Sequence, residues 1–306
     1  MKRDLMSLQD LTAEEITTIL ELTAKVKKDP SIGSTVLKGK SIGLVFQKPS
    51  NRTRTSFEVG IFQLGGNCIY LGPDEINLGV RESTTDVSKT LSRYLDGIVA
   101  RTNTHDDIIE LTRHGDIPVI NGLSDLFHPC QGLTDLFSVY EHFGKVRGLT
   151  MAYIGDGNNV CHSLLLGCAK LGMNLKIATP KGYEPSKYIL TLSRDLGKLT
   201  GAEIDISHDP LRAVTDADAI YTDVWVSMGQ EEETKKRLSD FDQFQINEEL
   251  VANANEDFIF MHCLPAHRGQ EVSEGVIDGR HSIVFDQAEN RLHTQKAILM
   301  FLFGYK

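Results

Sequence analysis

From residue 41 onward the chain alternates short runs of β-branched and apolar residues with longer amphipathic helical runs, and this alternation restricts the fold more than any other feature. Strands are expected at 42–46, 68–71, 97–101 and 118–121 in the first half, and at 150–154, 175–179, 203–206, 219–222, 258–262 and 282–285 in the second. Strands separated by helices cannot pair through tight hairpins, so neighbours run parallel and helices cover both faces of the sheet. The expected class is α/β, with two doubly wound domains. At 306 residues the chain is long for one core and sufficient for two. A helix at 133–143 followed by Gly144-Lys145-Val146-Arg147-Gly148 reads as the connection. The domains are therefore expected at 1–143 and 144–286, with the segment 287–306, mostly one amphipathic helix over 290–303, packing back on the first domain.

Composition narrows the function. Hydrophobic content of 41% and charged content of 24% fit a globular protein, and no segment offers the roughly 18 uninterrupted apolar residues of a membrane helix. The start, Met1-Lys2-Arg3-Asp4, runs into an acidic helical stretch without an apolar signal core, so export is not expected. Cys68, Cys130, Cys161, Cys168 and Cys263 are odd in number and lack CxxC spacing, which speaks against a disulfide framework or structural zinc and fits reduced thiols in a cytoplasm. A net charge of −10 is wrong for generic nucleic-acid binding, so the cations around Arg52 and Arg101 mark a local pocket for a small anion.

Where strand 42–46 gives way to a helical pattern stands Ser50-Asn51-Arg52-Thr53-Arg54-Thr55. A helix start has backbone N–H groups without intrahelical partners, and arginine adds a planar fork suited to phosphate oxygens. Ser50 taken alone is equally a helix cap with arginines on a solvated face. His128-Pro129-Cys130-Gln131 puts proline at a first helical position and brings imidazole and carboxamide together, as a carbamoyl unit would require; His128 as a plain cap explains the tetrapeptide as well. Asp223-Val224-Trp225-Val226-Ser227-Met228-Gly229 begins with a carboxylate able to hold an ammonium, or to cap the charged run 231–237. His262-Cys263-Leu264-Pro265 sets a thiol at a strand end, where cysteine is more often a small apolar filler. Gly155-Asp156-Gly157-Asn158-Asn159-Val160 lacks the third glycine of a dinucleotide fingerprint, so Asn158 and Asn159 are read as amides aimed at a polar substrate. His162 beside Cys161 and His262 beside Cys263 lack partners at metal-ligand spacing, and no metal is expected.

Together, and in this order along nearly the whole chain, these motifs resemble the aspartate/ornithine carbamoyltransferase family. The family's phosphate loop Ser-Thr-Arg-Thr-Arg appears as Ser50 to Arg54 with Asn51 for threonine, His-Pro-x-Gln is intact as His128 to Gln131, and the strand-end arginine corresponds to Arg101. Asp-x-x-x-Ser-Met-Gly, intact as Asp223 to Gly229, is typical of the ornithine branch; His-Cys-Leu-Pro is intact, and a late arginine is present as Arg291. Asn77 stands where relatives often carry a glutamine that reaches a neighbouring subunit.

The resemblance implies transfer of the carbamoyl group of carbamoyl phosphate to L-ornithine, without metal or organic cofactor, in a homotrimer or an assembly of trimers. It implies that Ser50, Asn51, Arg52, Thr53 and Arg101 hold phosphate, that His128, Gln131 and Arg291 polarise the carbamoyl carbonyl, and that Asn159, Asp223, Ser227 and Met228 bind the amino-acid end of ornithine. Cys263, with Leu264, would lie at the δ-amine as a positioning or proton-accepting group. Rival readings are a carbamoyltransferase for aspartate or putrescine and a non-catalytic anion-binding protein; a dehydrogenase is disfavoured by the broken glycine pattern.

Overall fold

The computed structural model describes residues 2–227, 229 and 231–305. The chain forms two compact units, one of residues 1–137 and 289–306, the other of residues 138–288. The first boundary falls inside a helix, where the sequence placed it after Phe143, and the second falls at 288/289 in place of 286/287. In both cases the helix is shared between units, so its ends do not mark the change of packing.

The first unit contains α1 (Ala13–Lys28), β1 (Ser41–Phe46), α2 (Asn51–Gln63), β2 (Asn67–Leu71), α3 (Pro73–Ile76), α4 (Thr84–Leu91), β3 (Gly97–Arg101), α5 (His105–His114), β4 (Val119–Leu123) and the start of α6 (Pro129–Phe143). Its strands pair in parallel in the order β2-β1-β3-β4. Residues 42–46 and all of β3 are buried, as expected of central strands covered on both faces, whereas β2 lies at the edge and is partly exposed. Val45, Ile98, Ala100 and Val119 pack with Val87, Ile108 and Leu111 from α4 and α5.

The second unit contains β5 (Thr150–Ile154), α7 (Asn159–Leu171), β6 (Asn174–Ala178), α8 (Lys187–Thr200), β7 (Ile204–Ser207), α9 (Pro210–Val214), β8 (Ala219–Thr222), α10 (Thr234–Asp240), α11 (Glu248–Val251), β9 (Ile259–His262) and α12 (Glu274–Ile277). The parallel order is β7-β6-β5-β8-β9. Trp225 packs with a tilted ring against Phe241, which anchors the loop after β8 to the core beside α10.

The expected strand at 282–285 is not one. Ser282 makes a single bridge to Phe260, and Val284 and Phe285 already open α13 (Val284–Leu302), whose part from Glu289 onward belongs to the first unit. A four-residue apolar run carries no periodicity of its own and took the conformation of the long helix that follows. Gly157 also has a local reason that is not a dinucleotide fingerprint: a Cβ there would lie 2.2 Å from the Pro185 nitrogen.

In each sheet the strand order reverses once, between β1 and β3 in the first and between β5 and β8 in the second. Loops leaving the carboxyl ends on either side of such a reversal diverge and open a crevice. Ser50 to Arg54, Arg101, Asn158, Asn159 and Asp223 to Ser227 lie at or after those strand ends, while His128 to Gln131 and Cys263 follow the neighbouring strands β4 and β9.

Candidate active site

In the first unit, Ser50 is the N-cap of α2, its hydroxyl accepting the Thr53 amide at 3.2 Å. The cap organises the turn and leaves Asn51 exposed, Arg52 half-buried and Thr53 buried. Arg54 is committed elsewhere: Nε donates to Glu58 at 2.9 Å, and the guanidinium lies 3.6 Å from the Tyr70 ring centroid. Of the loop's two arginines, Arg52 is thus the one electrostatically coupled to Arg101 and His128.

Arg101 ends β3, His128 immediately precedes α6, and Gln131 lies in its first turn; all are buried. Arg291, from α13, donates Nη1 to the Gln131 Oε1 and Nη2 to the Thr53 hydroxyl at 3.0 Å. Burial, then the charges of Arg291 and Arg52, draw the Arg101 guanidinium down to about 10, so it stays charged at neutral pH. Burial, then Arg291, Arg101 and Arg52, push the His128 imidazole well below its usual value, so it is neutral near pH 7. Guanidinium groups whose charges bear on Arg101 and His128 in this way, beside the start of α2, are arranged for an anion.

Gln131 also donates Nε2 to Asp135 Oδ1 at 2.7 Å. Arginine can only donate and a carboxylate can only accept, so the carboxamide presents oxygen to Arg291 and nitrogen to Asp135. Gln131 was expected to polarise a carbonyl; in this arrangement one Nε2 hydrogen goes to Asp135 and the oxygen is the acceptor turned toward Arg291. Asp135 sits at i+4 from Gln131 on a helix, a spacing that could have singled it out.

In the second unit, Asp223 follows β8, Asn158 and Asn159 follow β5, and Cys263 follows β9. The Cys263 thiol donates to Asp223 Oδ1 at 2.9 Å, and Asn158 Nδ2 donates to Asp223 Oδ2 at 2.8 Å. Asn158 is the N-cap of α7, accepting the amides of Val160 and Cys161, so it orients Asp223 and is not aimed at a substrate as expected. Asp223 is correspondingly no cap of the charged run after it. Asn159 and Ser227 are half-buried beside these groups in sequence, and Met228 lies outside the described residues.

Behind the thiol, His262 Nδ1 accepts the Leu264 amide at 2.8 Å, which fixes the proton on Nε2, facing the fully buried Glu271 Oε1 at 3.1 Å. Glu271 also accepts the His267 amide. The pair shapes the turn in which Leu264 adopts φ 58 and is followed by a cis peptide to Pro265. Asp223, His262 and Cys263 bring three donor atoms within 4.8 Å, but both imidazole nitrogens are engaged, so no lone pair is left there for a metal.

Arg237, which the sequence showed only as part of a charged run, is buried; Nη1 donates to Asp156 at 2.8 Å and to the Trp225 carbonyl at 3.1 Å. It ties the loop after β5 to the loop after β8. Asn77 closes α3 at φ 41, and its carbonyl accepts the amides of Val80 and Arg81, so its observed bonds are to its own loop.

Residues 3–141 match the family description "Aspartate/ornithine carbamoyltransferase, carbamoyl-P binding domain", and residues 147–302 match "Aspartate/ornithine carbamoyltransferase, Asp/Orn binding domain". An ornithine carbamoyltransferase of Thermococcus kodakarensis is 51% identical over 304 residues, covering 99% of this chain and 96% of the relative. One of Carboxydothermus hydrogenoformans is 50% identical, covering 99% and 98%. Among solved structures, ornithine carbamoyltransferase from Pyrococcus furiosus superposes with a TM-score of 0.96 at 48% identity, covering 100% of this chain and 98% of that one. With two successive domain matches that take in most of its length and relatives near half identity, the chain belongs to the aspartate/ornithine carbamoyltransferase family.

Proposed function

We propose that the chain is an enzyme that transfers the carbamoyl group of carbamoyl phosphate to the δ-amine of L-ornithine, releasing L-citrulline and phosphate. The observation that carries this reading is the cluster of Arg52, Arg101 and Arg291 around a neutral His128 and an acceptor-presenting Gln131. Arg52, Arg101, Thr53 and the backbone at Ser50 and Asn51 hold the phosphate and stabilise it as it leaves. His128, as a neutral donor, and Arg291 meet the carbonyl oxygen as it gains charge, and the Gln131 oxygen accepts from the carbamoyl NH₂. The amine attacks the carbonyl carbon, the C–N bond forms, the C–O bond to phosphate breaks, and the amine proton is released.

In the second unit Asn159, Asp223, Ser227 and Met228 bind the α-amino and α-carboxylate end of ornithine, and Cys263 with Leu264 lies at the δ-amine. The thiol already donates to Asp223, which suits positioning and not covalent attack. This set contains a carboxylate and no cation, which supports an amine acceptor over the second carboxylate of aspartate. A citrulline assay with ornithine, aspartate and putrescine offered separately tests the choice; carbamoylation of aspartate or putrescine at the ornithine rate refutes it.

The same reading includes a homotrimer, or an assembly of trimers, in which the loop at Asn77 completes a neighbour's site. Supporting it are exposed apolar side chains near the edge strand, with Phe62 79% and Ile69 39% exposed, and Val80, 81% exposed, in the loop itself. Head-to-tail cyclic contacts let each loop serve the next subunit. A variant lacking residues 77–80 and an Arg52→Ala variant, each inactive alone, should regain activity when dissociated and reassociated together; inactive mixed trimers refute the shared site.

A further inference from the structure

A fully buried carboxylate stands behind the carbamoyl site without touching phosphate, carbonyl or amine in the mechanism above. Asp135, one turn beyond Gln131 in α6, accepts Gln131 Nε2 at 2.7 Å. A carboxamide is nearly symmetric in shape, so packing alone does not tell its oxygen from its nitrogen. The two orientations recognise opposite groups: oxygen forward accepts from a carbamoyl NH₂, nitrogen forward does not. A flipped Gln131 would set donor against donor at Arg291 and acceptor against acceptor at Asp135. The bond to Asp135 is charge-assisted and about twice as strong as a neutral one, so the carboxylate holds the orientation firmly.

We propose that Asp135 is a positioning residue that fixes Gln131 as an acceptor and thereby makes the enzyme prefer a carbamoyl group over an acyl group of the same shape. This rests on the reading that Gln131 meets the carbamoyl NH₂. The carboxylate acts through Gln131 and leaves the phosphate contacts alone. In Asp135→Asn the new carboxamide offers a donor as readily as an acceptor, so the orientation loses its charge-assisted restraint and rests on Arg291 alone.

The test is equilibrium binding of two stable phosphonates that differ only in NH₂ against CH₃, phosphonoacetamide and 2-oxopropylphosphonate, with inorganic phosphate as a third probe. The wild-type protein should prefer phosphonoacetamide. In Asp135→Asn that preference should shrink about tenfold, while phosphate affinity stays within about twofold. Gln131→Ala locates any failure. If it keeps the preference, Gln131 does not meet the NH₂ and the site reading falls. If it loses the preference while Asp135→Asn retains it, the role given to Asp135 is overturned. Should Asp135→Asn not fold by thermal unfolding, the exchanged pair Asp135→Asn with Gln131→Glu carries the test. There the carboxamide introduced in place of Asp135 donates and the carboxylate introduced in place of Gln131 must accept, so the preference for phosphonoacetamide should persist; its loss overturns the proposal.

Discussion

Replacing Arg237 by methionine removes the guanidinium that neutralises Asp156 in a buried pair, N to O 2.8 Å, with side chains 8% and 12% exposed. Breaking such a pair from one side leaves an uncompensated charge at a cost of about 3–5 kcal/mol. The lost bond to the Trp225 carbonyl adds about 1 kcal/mol, and the pair with Glu233, whose side chain is 55% exposed, adds little. Unfolding in urea at pH 7 should therefore show a loss of about 4–6 kcal/mol. Removing both charges, as Arg237→Met with Asp156→Leu, should leave a deficit of only about 1–2 kcal/mol, because no buried charge remains. Burial already raises the Asp156 carboxyl above its usual value, with Arg237 opposing, and without Arg237 it rises further. A carboxyl raised in the folded state binds its proton more tightly there than when unfolded. The deficit of the single variant should thus shrink as pH falls through the raised value. Since Trp225 lies in the loop that carries Ser227, KM for ornithine should increase while KM for carbamoyl phosphate does not. A single-variant loss below about 1.5 kcal/mol, or a double variant as unstable as the single, refutes the reasoning.

Arg52→Ala should lower kcat/KM for carbamoyl phosphate by about 30-fold to several thousand-fold, since one partner of a desolvated charge contact is worth roughly 2–5 kcal/mol; near-normal kinetics in a folded variant remove Arg52 from the phosphate site. Gly157→Ala forces a Cβ against the backbone of Glu184 and Pro185 and should cost about 1–3 kcal/mol in urea unfolding, with an unchanged midpoint ruling out the packing explanation. His128, His105 and His293 all have their values lowered, burial being the main cause, so the unfolded chain binds more protons below about pH 6.5. Stability should accordingly fall as pH drops from about 7.5 to 6, and His105→Gln should flatten that fall; a rise on acidification contradicts the assignment.

The strands were legible because parallel strands buried on both faces read as uninterrupted apolar runs, and 97–101, 150–154 and 219–222 appear at those residues. The run 282–285 was not, because its character was decided by the helix after it. Likewise Asn158 sits where a cap and a substrate ligand look alike, and only the geometry around Asp223 separates them. Most residues proposed to touch the substrate occur in compact motifs at strand ends, Arg291 in α13 being the exception. The residues that orient them, Asp135, Glu271 and Arg237, lie among ordinary helix and loop positions, and their meaning comes from partners brought close by folding. Of these, Asp135 stands i+4 from a residue of the sequence motifs, Gln131, whereas the i+4 neighbours of Glu271 and Arg237, His267 and Glu233, belong to none of them.

In the proposed reaction the ornithine δ-amine attacks the carbonyl carbon of carbamoyl phosphate directly, and isotope labelling follows the bonds themselves. The purified protein is given carbamoyl phosphate carrying ¹³C at the carbonyl and ¹⁸O at the bridging oxygen, together with ornithine labelled with ¹⁵N at the δ position. Direct attack yields citrulline with a directly bonded ¹³C–¹⁵N pair in its NMR spectrum and all of the bridging ¹⁸O in inorganic phosphate. Release of unlabelled phosphate, or product lacking the ¹³C–¹⁵N bond, would contradict it.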